Sequence, residues 1–233
     1  MDEVETGSRI PRWANKSTKL FEWAGRGGGG SPGCAAGPQF TYDAILEATA
    51  QVLARQGWAN CSTNRIAKVA GVSIGTLYEY FSNKEAILEV LFDRHISAGE
   101  SLMAESLSTM GNPLEMPLSE IIGLLVDGYI SLHEQDPVLH RRLSSEVPIP
   151  PAIEARVTKI QTDLIDTIAT LLTFHPEASV SSPPLSARLV VDTVDTLTHR
   201  WIVDAEGTPM PSDDLRGALI TMLLHYVGGS SRT

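Results

Sequence analysis

Thr63-Asn64-Arg65-Ile66-Ala67-Lys68-Val69-Ala70-Gly71-Val72-Ser73-Ile74-Gly75-Thr76-Leu77-Tyr78-Glu79-Tyr80-Phe81 decides how the whole chain is read. Ile66, Ala67, Val69 and Ala70 put an apolar face on one short helix, for which Ser62 or Thr63 is the N-cap. Gly71 interrupts it. Ser73 then caps a second helix, Ile74 to Phe81, with Leu77 and Phe81 four apart on one side. Two short helices joined by the tight turn Ala70-Gly71-Val72-Ser73 make a helix-turn-helix, whose second helix fits the roughly 12 Å wide major groove of DNA.

The wet side of that second helix carries the functional signal. A helix that only held structure would gain from Ala, Lys and Glu there, whereas this one offers Gly75, Thr76, Tyr78 and Tyr80. Gly75 permits close backbone approach, Thr76 suits a base edge or thymine methyl, and the tyrosine hydroxyls reach towards phosphates. Lys84 adds a charge beside the positive end of the next helix.

Upstream, Ile45, Leu46, Ala48, Thr49, Val52 and Leu53 recur at helical steps. They predict a helix from Thr41, its N-cap, to Gly57, a left-handed C-cap with Trp58 folded back on it. Downstream, Ser82 or Asn83 caps a helix running through Ile87, Leu88, Val90 and Leu91 towards Leu102. Beyond Gly111-Asn112-Pro113, helical stretches recur at Leu118 to Gln135, Pro137 to Glu146, Ala152 to Phe174, Leu185 to Ala205 and Asp213 to Val227. Proline clusters such as Pro148-Ile149-Pro150-Pro151 separate them. No stretch alternates as a strand would, so the fold class is all-α. Residues 1–38 show no period and contain Gly25-Arg26-Gly27-Gly28-Gly29-Gly30, which predicts a flexible tail. Those glycines follow no apolar strand and precede no Gly-Lys-Ser/Thr, as a phosphate loop would require.

A net charge of −10 looks wrong for a DNA binder. Its distribution removes the objection: residues 39–95 hold five basic and six acidic groups, residues 96–233 eight and eighteen. The reading end is near neutral, so it depends on a few well-placed groups rather than on a basic field. Cys34 and Cys61 stand in different environments, without a charge partner evident for either, and are expected to be inert thiols.

From Thr63 to Glu85 the chain resembles the TetR family of bacterial regulators almost throughout, and the preceding helix with Gly57-Trp58 fits as well; the likeness spans roughly residues 40–92. It implies a three-helix DNA-binding domain with its connecting helix over 39–99, followed by a larger helical ligand-binding and dimerisation domain over 100–233. It implies that Thr63 contacts phosphate at a helix start, that Ser73, Ile74, Gly75 and Thr76 supply base and backbone contacts, and that Tyr78, Tyr80 and Lys84 reach phosphates. Two positions depart from the pattern. Ile74 stands where many members carry Lys or Arg, and Gly37-Pro38-Gln39-Phe40 is uncharged where many carry a basic arm.

In the second half, Tyr129, His133, His140, Phe174, His199 and Trp201 are the polar-tipped or aromatic groups on apolar helices, and are the candidate pocket for a small apolar effector. A metal site is not expected: His133 and His140 are seven apart without a carboxylate pairing that demands one. Val190, Val194, Leu197 and Trp201 on one helix, with Leu215, Leu219, Met222, Leu223 and Tyr226 on the last, form stripes that in the family pack against a two-fold mate. The resemblance therefore implies a cytoplasmic homodimer on a palindromic operator, its reading helices about 34–36 Å apart, released as a repressor when the effector shifts that spacing. No cofactor and no membrane segment are expected, and no Gly-x-Ser-x-Gly or His-Glu-x-x-His motif supports an enzyme. The alternative is a regulator-derived helical protein that binds a small molecule or protein partner without specific DNA binding.

Overall fold

The computed structural model describes residues 37–108, 111–204 and 210–228. Among these the elements are helical throughout: α1 (Pro38–Gln56), α2 (Thr63–Ala70), α3 (Ile74–Tyr80), α4 (Lys84–Ser108), α5 (Leu118–Glu134), α6 (Pro137–Ser145), α7 (Pro151–Phe174), α8 (Pro183–Thr198) and α9 (Ser212–Val227). A 3-10 turn at Trp58–Asn60 follows α1, and a π-helical stretch at His199–Val203 prolongs α8. The glycine run and Cys34 lie outside the described residues.

Three of the nine described helices start on a side-chain cap. Ser73 accepts the Thr76 amide at 2.9 Å, Asn83 that of Ala86 at 2.8 Å and Asp136 that of Leu139 at 2.9 Å, so α3, α4 and α6 are each capped by an oxygen. The start of α1 differs from the expected Thr41 cap. Pro38 sits in its first turn, and the amides of Phe40 and Thr41 reach the Gly37 carbonyl at 2.9 and 3.3 Å. Proline's missing N–H costs nothing there and its φ is already helical, which moves the cap four residues back, from Thr41 to Gly37, and takes Pro38 out of the tail. At the other boundary α4 runs unbroken past residue 100 to Ser108, joining the two halves through one continuous helix.

Two apolar cores form. The first gathers Ile45, Leu46, Val52 and Leu53 of α1, Ile66 of α2, Leu77 of α3, Phe81, and Ile87, Leu88 and Leu91 of α4. Leu139 and Leu143 of α6, Val147, and Ile153 at the start of α7 also belong to it, so the second half of the chain helps close the core around α1 to α4. The second core joins Leu118, Ile122, Val126 and Ile130 of α5 to Leu172 of α7, Val190 and Val194 of α8, and Leu215, Leu219 and Leu223 of α9. Most of the α8 and α9 stripe expected to meet a second copy is thus buried within one chain. Leu185, Leu189, Trp201, Met222 and Tyr226 remain exposed on these two helices and the π stretch.

The glycines at the two helix ends reverse their expected roles. Gly57 has φ 71° and ψ 173°, a region open to glycine almost alone, rather than the left-handed helical cap. Gly71, read as a simple interruption, is the left-handed one, with φ 70° and ψ 26°. A Cβ on Gly57 would lie 2.7 Å from Glu146 Oε2, which accepts the Trp58 amide at 3.1 Å; a Cβ on Gly71 meets nothing within 4 Å. Gly57→Ala is therefore expected to cost about 3 kcal/mol and Gly71→Ala about 1 kcal/mol in urea denaturation. Equal losses would show that the Glu146 contact contributes nothing.

Candidate nucleic-acid interface and effector cavity

α2 and α3 meet at a turn that leaves one face of α3 unpacked. Leu77 is the one fully buried residue of α3, while Ile74, Gly75 and Tyr78 are exposed and Thr76 and Tyr80 half-buried. Tyr78 is 51 % exposed, which places its ring outside the core. Its hydroxyl lies 3.2 Å from the Thr63 hydroxyl, so the start of α2 and the middle of α3 present two polar groups together. Ser73 Oγ is held 2.8 Å from Thr76 Oγ1 as well as capping α3, so its oxygen is already committed to the helix. Tyr80 leans towards α1, its ring 6.4 Å from that of Tyr42.

Lys84 sits at the edge of this surface in a defined seat. Its ammonium lies 3.6 Å from the centroid of the Trp58 ring and donates to the Cys61 carbonyl at 3.4 Å. An indole face attracts a cation by its quadrupole, which holds the charge near the start of α4 without neutralising it. Trp58 was legible as a residue folding back on α1; its second use as a platform for Lys84 needed the fold. Cys61 is buried, and that burial raises its thiol pKa. Lys84 and Arg65 do lie near enough to pull the other way, but burial prevails and keeps the thiol protonated.

The second half of the chain contains an apolar cavity of about 410 Å³. Leu118, Ile121, Ile122 and Leu125 of α5 line one side, and Leu164, Ile168, Leu171 and Phe174 of α7 another. Met103 of α4, Val190 of α8 and Val227 of α9 complete the wall, with Asn112, Pro113 and Leu114 contributing from the α4–α5 connection. Asn112, Thr167 and Thr170 are the polar members, and among the described residues no charged side chain lines it. A site of this size and lining selects for apolar surface and gives little recognition to a polar head.

Of the six pocket residues expected from sequence, Phe174 lines this cavity and the other five do not. Phe174 is 67 % exposed, and Trp201 lies 37 % exposed outside the cavity wall. Tyr129, His133, His140 and His199 come together elsewhere, with His95 of α4, where α4, α5, α6 and the π stretch meet. Most cavity residues are aliphatics, whose signal in sequence is identical to that of core, so chemistry-bearing side chains did not point to this cavity.

The histidine group is dense. The ring centroids of His133 lie 4.7 Å from His140 and 5.6 Å from His199, and His140 lies 5.3 Å from His199 and 5.0 Å from His95. His95 Nε2 and His140 Nδ1 are 3.0 Å apart, and His133 Nδ1 donates to the Tyr129 carbonyl at 2.7 Å. Burial, reinforced by the three neighbouring imidazoles, pushes His140 down to about 3. Burial likewise lowers His133 and His95, and raises Tyr129 and Asp195. Among the described residues no set of three or more His, Cys, Asp or Glu is arranged to hold a metal ion. No described helix is long and apolar enough to cross a membrane.

Comparison with known proteins bears on both halves. Residues 45–91 match the family of bacterial regulatory proteins of the tetR family, and residues 117–226 match the tetracyclin repressor-like C-terminal domain. The fatty acid metabolism regulator protein of Bacillus subtilis is 36% identical over 87 residues, which are 36% of this chain and 45% of that protein. The chain spans less than half the length of the curated relatives it matches. Among solved structures, native NalD of Pseudomonas aeruginosa, the secondary repressor of a multidrug efflux pump, shares 20% identity over 82% of this chain and 98% of its own, with a TM-score of 0.62. FadR of Bacillus subtilis in complex with stearoyl-CoA shares 21% over 78% of this chain and 97% of its own, with a TM-score of 0.57. At these identities the structural likeness is one of fold.

Proposed function

Because the chain belongs to the TetR family, and is thereby a DNA-binding transcriptional regulator rather than an enzyme, we propose that it is a homodimeric repressor released from a palindromic operator by a long-chain apolar effector. The observation that carries the effector class is the cavity between α5 and α7, large enough for a ligand and walled by aliphatic side chains without a charge. An acyl chain fits that chemistry, with its polar head left near Asn112, Thr167 and Thr170. Stearoyl-CoA is the ligand in the FadR complex, which shares this fold. The exposed Leu185, Leu189, Met222 and Tyr226 support a two-fold contact through α8 and α9. Effector binding shifts the population of dimers towards one whose reading heads no longer match the half-site spacing.

On the DNA side, Thr63, Ser73, Ile74, Gly75, Thr76, Tyr78, Tyr80 and Lys84 are the proposed contact set. Thr76 and the bare backbone at Gly75 face the bases, with Ile74 offering apolar contact to a thymine methyl. Thr63, Tyr78, Tyr80 and Lys84 hold phosphates, and Ser73 fixes the pitch of α3 by capping it.

Gly75→Ala separates reading from stability. A Cβ there would find Ser73 Oγ at 3.6 Å, an ordinary contact, so the variant is expected to gain about 0.5–1 kcal/mol of stability from helix propensity. Its affinity for DNA selected from a random oligonucleotide pool should nevertheless fall about tenfold, because the added methyl stands between backbone and groove. Undiminished affinity would remove Gly75 from the interface. Lys84→Ala should lower the slope of log affinity against log salt by about 0.9 for each phosphate that the lysine neutralises.

A further inference from the structure

α6 belongs to both halves of the molecule. Leu139 and Leu143 are buried in the DNA-binding core, and Glu146 just beyond accepts the Trp58 amide at 3.1 Å. On the sensor side, His140 stands among His95, His133 and His199, and Arg141 donates through Nε to the Val203 carbonyl at 2.7 Å. α6 is thus seated by a histidine group whose members come from α4, α5 and the π stretch that prolongs α8.

The geometry of that seat limits how many protons it holds. His95 Nε2 and His140 Nδ1, 3.0 Å apart, make a hydrogen bond only when one of the two nitrogens carries a proton and the other accepts it. A second proton would set two N–H groups face to face. His133 spends its Nδ1 proton on the Tyr129 carbonyl and is 1 % exposed, so a charge on it would lie in contact with the His140 and His199 rings without water. The acidic groups nearby are Asp136 towards His95, Asp195 towards His133 and His199, Asp192 towards Tyr129 and Asp195, and Asp204, whose Oδ2 lies 3.2 Å from His199 Nδ1. They face the rim. His199 Nε2 meets Ser144 Oγ at 3.3 Å, which ties the rim back to α6, and Arg141 is the one basic side chain of α6 placed on this seam.

We propose that this histidine group is a proton-operated latch: uncharged, it seats α6 against the sensor half, and proton uptake releases α6 and with it the attachment of the DNA-binding unit. The direction follows from linkage. Histidines held below their ordinary value in the seated state, and ordinary once released, favour the seated state above about pH 6.5 and favour it progressively less as pH falls. Only the consequence for DNA rests on the regulator reading given above.

The test on the full-length protein alone is hydrogen–deuterium exchange between pH 7.5 and 5.5, with chelator present and rates corrected for intrinsic pH dependence. Protection of the α6 amides should fall at least about tenfold between pH 7.5 and 5.5, the linkage of one or more protons, while α5 and α9 keep theirs. In His140→Gln and in His95→Gln, each lacking one of the sites that take up a proton, that pH response should be clearly smaller than in the wild type. A wild-type α6 indifferent to pH, an equal loss in every helix, or a response undiminished in both variants would overturn the latch. For DNA selected at pH 7.5 from a random pool, affinity should weaken at least about tenfold at pH 5.5 in the wild type and clearly less in His140→Gln. Unchanged affinity would sever the latch from DNA reading. Failure to select any DNA at pH 7.5 would strike the regulator reading instead, and the exchange result would still decide the latch.

Discussion

Leu77→Ala is expected to lower the stability of the DNA-binding unit by about 3–4 kcal/mol and to remove sequence-selective DNA binding. Leu77 is fully buried and is the one residue that α3 sinks wholly into the first core; Phe81, at the end of α3, is the other anchor, stacked at 5.0 Å on Tyr42. A helix of seven residues has too little intrinsic stability to persist undocked. Truncating its anchor therefore removes the apolar transfer energy, leaves a cavity between α1 and α4, and frees the reading helix to fray. Urea denaturation followed by tyrosine and tryptophan fluorescence reads the first effect, and gel shift on selected DNA the second. A loss under about 1 kcal/mol would mean that α3 is held by something other than this side chain.

Leu125→Trp should abolish the response to a long-chain effector while leaving effector-free DNA binding within about twofold of the wild type. Leu125 lines the cavity and is only half-buried, so an indole at that position occupies ligand space before it strains the second core. Binding of stearoyl-CoA, followed by calorimetry, is expected to weaken about a hundredfold, an energy of roughly 2.7 kcal/mol that the apolar area denied to the ligand readily accounts for. Retained binding would place the effector elsewhere, and the histidine junction would become the next place to look. Loss of DNA binding without effector would show that the cavity wall also supports the reading geometry. These outcomes separate the cavity's role as a site from its role as core.

The DNA-reading half was legible in sequence because its signals are local. Ser73, Asn83 and Gly71 act within three or four residues of themselves, and an apolar pair such as Leu77 and Phe81 announces which face is down. Lys84 illustrates the limit: its charge near a helix start was readable, but its seat over Trp58, 26 residues earlier, is a tertiary fact. Gly57 illustrates it differently. A glycine after a helix reads as a left-handed cap, and only the contact with Glu146, far along the chain, explains why the backbone extends there instead.

The same limit holds in the second half of the chain. His95 escaped notice because a single histidine on a long amphipathic helix carries no signal until His133, His140 and His199 are brought against it. Conversely, Val190, Leu215 and Leu219 read as an unpartnered stripe, yet α5 supplies their partner and leaves Leu185, Leu189 and Met222 as the outward surface.

Sequence by itself determined that the described chain is helical, where most of its helices lie and that two short helices meet at the Gly71 turn, because capping, glycine punctuation and apolar periodicity act over one or two turns. Tertiary structure alone decided which aliphatic faces enclose a cavity and which close a core, and it assembled four histidines, dispersed between residues 95 and 199, around α6. The reason is physical: burial and ring contact depend on which helices become neighbours, and an aliphatic or a histidine side chain has the same local signature whichever neighbour it meets.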